Sequence, residues 1–439
     1  MTPKHYHFIG IAGIGISALA RYHHALGATI TASDWQEDES IGLLRKDGID
    51  TTIGVDENNL PTSADIVVYS QAHIHHPELL RAQSLGMKTL TYPEALAEVV
   101  NSKKCIAITG SHGKSTTTAM TGVMLAGSSI GGSTLVGTRV PQFGDSNIHI
   151  EDSSYFVIEA CEYRRSFLAY HPYITVITNI DLDHLDYYHD LHDYISAFQV
   201  IVDQTSGYVI YDGSDVNAQK LDFSKTKAKP IRMSHEGWYD ENGIFSVFSQ
   251  MNLQVPGDHL LFDAKLAYVV GKTLGLADGY IVQKLESYVG SWRRSEIIRT
   301  TKAGNILMSD YGHHPTEIRL TLEAIKQKYA DKQIFVAFQP HQYSRTRELL
   351  SDFLTAFDAV NELIIPDIYF SRDNNEDVAY MTRERFVESL REHYPFVQNG
   401  NGLKNTISII QKYDQENPNS AVIVLLGAGD IDTLREEIW

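Results

Sequence analysis

Residues 110–116 read Gly-Ser-His-Gly-Lys-Ser-Thr, between the apolar run Cys105–Thr109 and a stretch of helical character. Glycines there let backbone N–H groups converge on an anion. A lysine adds a point charge for terminal phosphates, and the neighbouring hydroxyl suits Mg²⁺. The loop is shorter than the usual G-x-x-x-x-G-K-[ST] pattern. Strand, Gly-Lys-Ser and helix nevertheless agree on phosphate binding over a glycine turn with a solvated lysine. Gly110, Ser111, His112, Gly113, Lys114, Ser115 and Thr116 are the expected ATP-binding loop. "FVIEACEYRRSF" places Glu159 at the end of an apolar strand, and "VITNIDLDHLDYY" places Asn179, Asp181, Asp183 and His184 beyond another. In parallel sheets, ligands gather outside the carboxyl ends of strands, so Glu159 and His184 can meet Lys114 and Ser115 at one edge, supplying the further ligands an Mg²⁺–ATP site needs. Taken singly, each carboxylate reads better as a solvated loop charge or helix cap; together they make a site the better reading.

A second glycine loop lies at the start, in "HFIGIAGIGISALA" (7–20). Gly13, Gly15 and Ala18 fit G-x-G-x-x-G/A, between a strand at His7–Ile9 and a helix at Ile14–Leu26. Asp34 follows the next strand, Ala28–Ser33, where a ribose-binding acid belongs. The physics is that of a diphosphate held at a helix N-terminus, which NAD or any other nucleotide diphosphate satisfies. A tight turn without a ligand is the plainer alternative.

The elements that must position these residues alternate strand and helix along the chain. Short β-branched runs at Thr51–Ile53, Ile66–Ser70 and Lys88–Tyr92 complete a first α/β unit. Strands at Tyr155–Ala160, Ile174–Thr178 and Gly207–Tyr211, with helices at Ala264–Leu274 and Gly279–Tyr288, make a second. The third has strands Ile306–Ser309, Ile334–Phe338 and Leu363–Pro366, helices Thr316–Tyr329 and Arg345–Phe357, and a closing "AVIVLLGAGDI". This alternation predicts three α/β units with mainly parallel sheets.

Bulk properties narrow the classes. Of 439 residues, 43% are hydrophobic and 21% charged, as in a soluble globular protein. A formal net charge of −18 argues against general nucleic-acid or membrane-surface binding. No apolar run approaches the roughly 18 residues that span a bilayer, and the N-terminus lacks signal-peptide order. Two cysteines, Cys105 and Cys161, argue against a disulfide scaffold and fit a reducing cytoplasm.

With these residues in hand, the chain resembles the Mur ligase family, ATP-dependent enzymes that build the peptide of bacterial cell-wall precursors. "GSHGKSTTT", "EACEYRRSFL" and "TNIDLDHLDYY" resemble its ATPase domain. "SDYGHHPTEI" (309–318), "FQPHQYSRTREL" (338–349) and "GAGDI" are similar to motifs of its alanine-adding members. The resemblance implies a Rossmann-like N-terminal domain at 1–100, a central P-loop-type ATPase domain at 101–296 and a Rossmann-like C-terminal domain at 297–439. It turns the first glycine loop from NAD to UDP-N-acetylmuramate, with Gly13, Ile14, Gly15, Asp34, Ser70 and His73 as contacts. ATP and Mg²⁺ are the implied cofactors, with His259 and Asp310 joining the ATP site and Ser115, Glu159 and His184 holding the metal. L-Alanine falls to Tyr311, His313 and His341, and Lys114, Arg294, His313 and Arg345 are the implied catalytic set. A cytoplasmic monomer or weak homodimer is expected.

The implied chemistry is amide formation through an acyl phosphate, since oxide does not leave a carboxylate at neutral pH. The lactyl carboxylate takes the γ-phosphoryl group, then alanine's amine displaces phosphate. Domain closure would exclude water from that intermediate. Leu260, Asp263, Ser295 and Gln342 depart from the family pattern, the first two near the adenine. His313 and His314 could instead cap the helix that follows, and His341 beside Arg345 could be a surface cluster. Competing functions are a ligase that attaches a whole tripeptide to the same sugar nucleotide, an NAD(P)-dependent oxidoreductase and a non-catalytic nucleotide sensor.

Overall fold

The computed structural model describes residues 3–37, 39–184, 187–371 and 373–439, so Leu185 and Asp186 of the acidic motif lie outside the described residues. The fold is α/β and built on three sheets. The first contains β1 (His5–Ile9), β2 (Thr29–Asp34), β3 (Asp50–Ile53), β4 (Ile66–Tyr69) and β5 (Lys88–Thr91), all parallel, in the order β3-β2-β1-β4-β5. The order reverses between β1 and β4, which opens a crevice at their carboxyl ends. β1 is buried from Tyr6 to Ile9 because helices cover the sheet. One of these, Tyr92–Val100, starts with Pro93 in its first turn and a Thr91–Glu94 capping box.

The second sheet has nine strands: β6 (Lys104–Thr109), β7 (Ser133–Val140), β8 (Ser146–His149), β9 (Tyr155–Glu159), β10 (Ile174–Ile177), β11 (Tyr208–Asp212), β12 (Lys229–Met233), β13 (Gly237–Tyr239) and β14 (Phe245–Val247). Their order is β14-β13-β12-β11-β10-β6-β9-β7-β8, so β6 runs centrally between β10 and β9. Five of the six residues of β6 are buried, which is why its sequence reads as a nearly continuous apolar run.

The third sheet has β15 (Glu296–Thr300), β16 (Ile306–Asp310), β17 (Gln333–Phe338), β18 (Glu362–Ile365), β19 (Val397–Asn399) and β20 (Ala421–Leu426), in the order β15-β16-β20-β17-β18-β19. Only β15 is antiparallel to its neighbour. The helix expected over 345–357 divides into Tyr343–Glu348 and Leu350–Phe353, because Leu349 leaves helical geometry at φ −100°, ψ 17°. The helix expected at Ala264 begins earlier, at Asp258.

Contacts divide the chain into two compact units. One holds residues 1–251 and 264–285, with the first two sheets; the other holds 252–263 and 286–439, with the third. The segments 252–263 and 286–296, read from sequence with the centre of the chain, thus pack with the C-terminal sheet. Both cysteines are free thiols. Among the described residues, no helix is long and apolar enough to cross a membrane.

Candidate functional site

At the carboxyl end of β1 the chain turns at Gly10, whose φ of +77° a glycine adopts freely. The His73 ring lies against Gly10, where a Cβ would stand 2.5 Å from it. Gly13 is the N-cap of the helix Ile14–Ala25. Gly15 leaves room for the Tyr92 hydroxyl, which a Cβ would meet at 2.5 Å. Asp34 is buried, and its two oxygens accept from the backbone N–H groups of Ala12 (2.9 Å) and Trp35 (2.8 Å). It braces the turn directly. Ser70 caps the short turn Gln71–His73, and the Trp35 and His73 rings meet edge-on at 6.0 Å. The expected Gly13, Ile14, Gly15, Asp34, Ser70 and His73 therefore gather around the carboxyl ends of β1, β2 and β4. Beneath them, buried Glu78 receives His7 Nε2 at 2.5 Å and Ser33 Oγ at 3.0 Å.

The Gly-Lys-Ser loop leaves the carboxyl end of β6 and enters the helix Lys114–Leu125 through Gly113, left-handed at φ +81°. Gly110, at φ +129°, lies so close to β10 that a Cβ would stand 2.1 Å from Thr178 Oγ1. Asn179 Oδ1 accepts from the His112 N–H (3.0 Å), and Ser111 Oγ donates to Asp181 O (2.5 Å). His112 Nε2 lies 3.1 Å from Asp181 Oδ2. The expected "TNID" residues thus brace the loop from behind.

Lys114 Nζ donates to Gly110 O (2.5 Å), Ser111 O (2.9 Å) and Glu162 Oε1 (3.0 Å). Burial pulls the Lys114 pKa down, but Glu162, with Cys161 and Glu159 adding, overrides it and pushes the ammonium up to about 12. Burial likewise raises Glu162, yet Lys114 and His184 hold its carboxyl below the usual range. Ser115 Oγ donates to Glu159 Oε1 at 3.0 Å, and Glu159 Oε2 accepts from the Gly137 N–H at 2.7 Å. His184 sits at a positive φ of 56°, with its Nε2 3.3 Å from Glu162 Oε1. Ser115 and Glu159 are adjacent as expected, while the His184 ring faces Glu162.

Glu162 is the residue that sequence reasoning missed. It is fully buried and joins Lys114 to His184. Its position three residues past Glu159 was the only signal. The buried atoms Glu162 Oε2 and His184 Nδ1 have no hydrogen-bond partner. The Ser115 and Glu159 oxygens are the hard ligands that Mg²⁺ takes, and the unmatched Glu162 Oε2 is a further one, whereas Glu159, Glu162 and His184 do not bring one ligand atom each within 4.8 Å of one another.

In the other unit, aromatic rings and cations form a chain. Arg294 lies over Tyr311 (5.0 Å), Tyr311 meets His313 (5.6 Å), His313 meets His341 (6.0 Å), and His341 stacks on Tyr369 at 5.5 Å and 15°. Arg345 Nη1 lies 3.3 Å from His341 Nδ1. Left-handed backbone at Arg293, Ser295 and Gln342 flanks Arg294 and His341, a pattern associated with functional sites. Asp310 accepts from the Ser295 N–H (2.6 Å) and the Gly312 N–H (2.8 Å), and burial pushes its carboxyl up against the pull of Arg294. His314 caps the helix Pro315–Lys328 with Glu317, whereas His313 faces the ring chain. The capping alternative thus holds for one histidine of the pair. Burial lowers His259 to about 4, against Asp258 and Glu317. His259 and Asp310 lie in this unit, and Lys114 in the other.

Three models of the Mur ligase family match in succession: the catalytic domain over residues 5–104, the middle domain over 108–267 and the glutamate ligase domain over 293–429. The UDP-N-acetylmuramate--L-alanine ligase of Clostridium botulinum is 35% identical, over 98% of this chain and 96% of its own. That of Clostridium acetobutylicum is 33% identical, over 99% and 97%. Among solved structures, the UDP-N-acetylmuramate-alanine ligase of Thermotoga maritima shares the fold with a TM-score of 0.79 at 24% identity, covering 98% and 97% of the two chains. A murein peptide ligase of Psychrobacter arcticus does so at 0.67 and 19%, covering 99% and 98%.

Proposed function

The chain belongs to the Mur ligase family, and on that premise we propose that it is a cytoplasmic ligase joining L-alanine to the lactyl carboxylate of UDP-N-acetylmuramate with cleavage of ATP, in peptidoglycan precursor synthesis. The observation that carries this reading is full-length likeness to named alanine ligases in a chain that also has Lys114 paired to buried Glu162. The proposed domains are 1–100 for the UDP-sugar, 101–296 for ATP and 297–439 for the amino acid. Gly13, Ile14, Gly15, Asp34, Ser70 and His73 form the proposed UDP-sugar site. Residues 110–116, with His259 and Asp310, form the proposed ATP site.

A lactyl oxygen attacks the γ-phosphorus and ADP leaves, giving an acyl phosphate. Lys114 and Arg294 neutralise the phosphoryl charge, which a site shielded from water makes most effective. To do so, Lys114 exchanges its bonds to Gly110 O and Ser111 O for phosphate oxygens. The alanine amine then attacks the acyl carbon, and phosphate departs with the former lactyl oxygen. Tyr311, His313 and His341 line the amino-acid pocket, and Arg345 pairs bidentately with a carboxylate or phosphate. Ser115, Glu159 and His184 would hold Mg²⁺, which supplies Lewis-acid polarisation of the phosphoryl group when bound.

The test is phosphate release from ATP by purified protein with each substrate omitted in turn. Release that requires both UDP-N-acetylmuramate and L-alanine is the expected result. Release with an alanine-containing tripeptide but not with alanine would move the assignment to the tripeptide ligase. Release independent of the sugar nucleotide would contradict the reading outright.

A further inference from the structure

β5 ends at Thr91, and Tyr92 is the first residue of the helix that follows. Tyr92 therefore stands at the carboxyl edge of the first sheet, the edge on which the glycine turn lies. Its hydroxyl packs on Gly15, where a Cβ would stand 2.5 Å from the oxygen. Its ring lies against the apolar core that runs through the first two sheets. The residue is half-buried, and its hydroxyl remains open to solvent. Among the described residues that hydroxyl makes no hydrogen bond. Most phenols this enclosed find a partner, and this one is left with its donor to spare.

The hydroxyl lies between two sites within one compact unit. On one side is the sugar-nucleotide turn, whose Ile14 carbonyl accepts from Asn147 Nδ2 of β8 at 2.5 Å, so the second sheet abuts the same helix start. On the other side is the end of β9. Burial, with the Glu159 carboxylate and Cys161 adding to it, pushes the Tyr92 phenol well above its ordinary range. The hydroxyl thus keeps its proton and faces an anion as a neutral donor. Glu159 in turn accepts from Ser115 Oγ at 3.0 Å, beside Lys114.

A sugar nucleotide with its diphosphate at Gly13–Gly15 and its reacting carboxylate at Lys114 has to pass this hydroxyl. A carboxylate has two oxygens, and only one attacks phosphorus. The other has to be held if the first is to be aimed. Resting on the sugar-nucleotide site proposed above, we propose that the Tyr92 hydroxyl donates a hydrogen bond to one lactyl oxygen of bound UDP-N-acetylmuramate and leaves the other free to attack the γ-phosphorus.

Calorimetric titration of the full chain and of Tyr92→Phe tests this with three probes: UDP-N-acetylmuramate, UDP-N-acetylglucosamine, which lacks the lactyl group, and UDP. The variant should bind UDP-N-acetylmuramate about tenfold or more weakly, the scale of a lost hydrogen bond to a charged group. Its affinities for the other two should stay within about twofold of the native chain, which also shows that the variant folds. Equal UDP-N-acetylmuramate affinity in variant and native chain would overturn the proposal and leave the sugar-nucleotide site standing. An equal loss for all three probes would make Tyr92 a prop for the turn and overturn it too. A native chain that binds none of the three would overturn the site, and this inference with it.

Discussion

Lys114 has all three ammonium donors occupied by the protein, and Glu162 is the only one of those partners that carries charge. Breaking a buried ion pair from one side leaves the other charge unmatched, at a cost of about 3–5 kcal/mol. Glu162→Gln should therefore lower the unfolding free energy on the order of 3 kcal/mol in chemical denaturation; an unchanged midpoint would contradict the pairing. Lys114→Met should cut phosphate release by at least about 10²-fold, the scale of a lost transition-state charge partner, in a protein that still folds.

The pH signs follow from the same pair. Glu162 sits below its ordinary 4.5, so its contribution is present above that value and lost as pH falls through the lower folded one. Lys114 sits at about 12 against 10.5, so its contribution is present below 10.5 and lost as pH rises toward 12. Between 4.5 and 10.5 the pair stays charged.

At the level of elements, the site is a set of turns at strand carboxyl ends, and their glycines differ in what they tolerate. Gly110→Ala would place a Cβ 2.1 Å from Thr178 Oγ1 at a φ of +129°, so the loop must shift. ATP affinity by calorimetry should fall about tenfold or more, since loop geometry aims the N–H groups. Gly279, in the helix Asp278–Glu286, has nothing within 4 Å, and Gly279→Ala should stabilise by up to about 1 kcal/mol without affecting ATP. Equal ATP affinity in native protein and Gly110→Ala would show that the loop's backbone does not set binding.

Elements were legible where burial makes the sequence nearly all apolar. β6, β10, β17 and β20 announce themselves because both faces are covered. The reading passed over β8, β13, β14, β15 and β19, three to five residues each at or near sheet edges, with half-exposed patterns that periodicity does not separate from loop, and also β12, which carries Pro230, and the eight-residue β7, whose buried positions include the polar Ser133, Thr134 and Thr138. The split at Leu349 has no glycine or proline to signal it. The same contrast holds in the site. Residues fixed by a strand end, such as Lys114, Glu159 and Asp310, could be named from sequence. The burial of Glu162 and the stacking of Tyr369 on His341, 28 positions earlier in the chain, depend on tertiary packing that local patterns do not carry.

For the whole molecule, three sheets are distributed over two compact units, and the dividing point at residue 263 falls within the helix Asp258–Thr273. His259, just before it, is neutral in the fold, with its pKa lowered from 6.5 to about 4. The unfolded chain binds that proton first, so the stability His259 contributes is complete above 6.5 and lost as pH falls toward 4. Over that range, His259→Phe should lose less stability than the native chain in calorimetric scans. An identical pH dependence would mean that the ring is not held neutral.

The central claim is that the lactyl carboxylate of UDP-N-acetylmuramate is activated by phosphorylation before alanine attacks. The most direct measurement uses UDP-N-acetylmuramate with ¹⁸O in that carboxylate, L-alanine and ATP, with mass analysis of both products. The account predicts an alanyl amide on the sugar nucleotide and one ¹⁸O in each released phosphate. Phosphate released without label, or without any amide product, would contradict it.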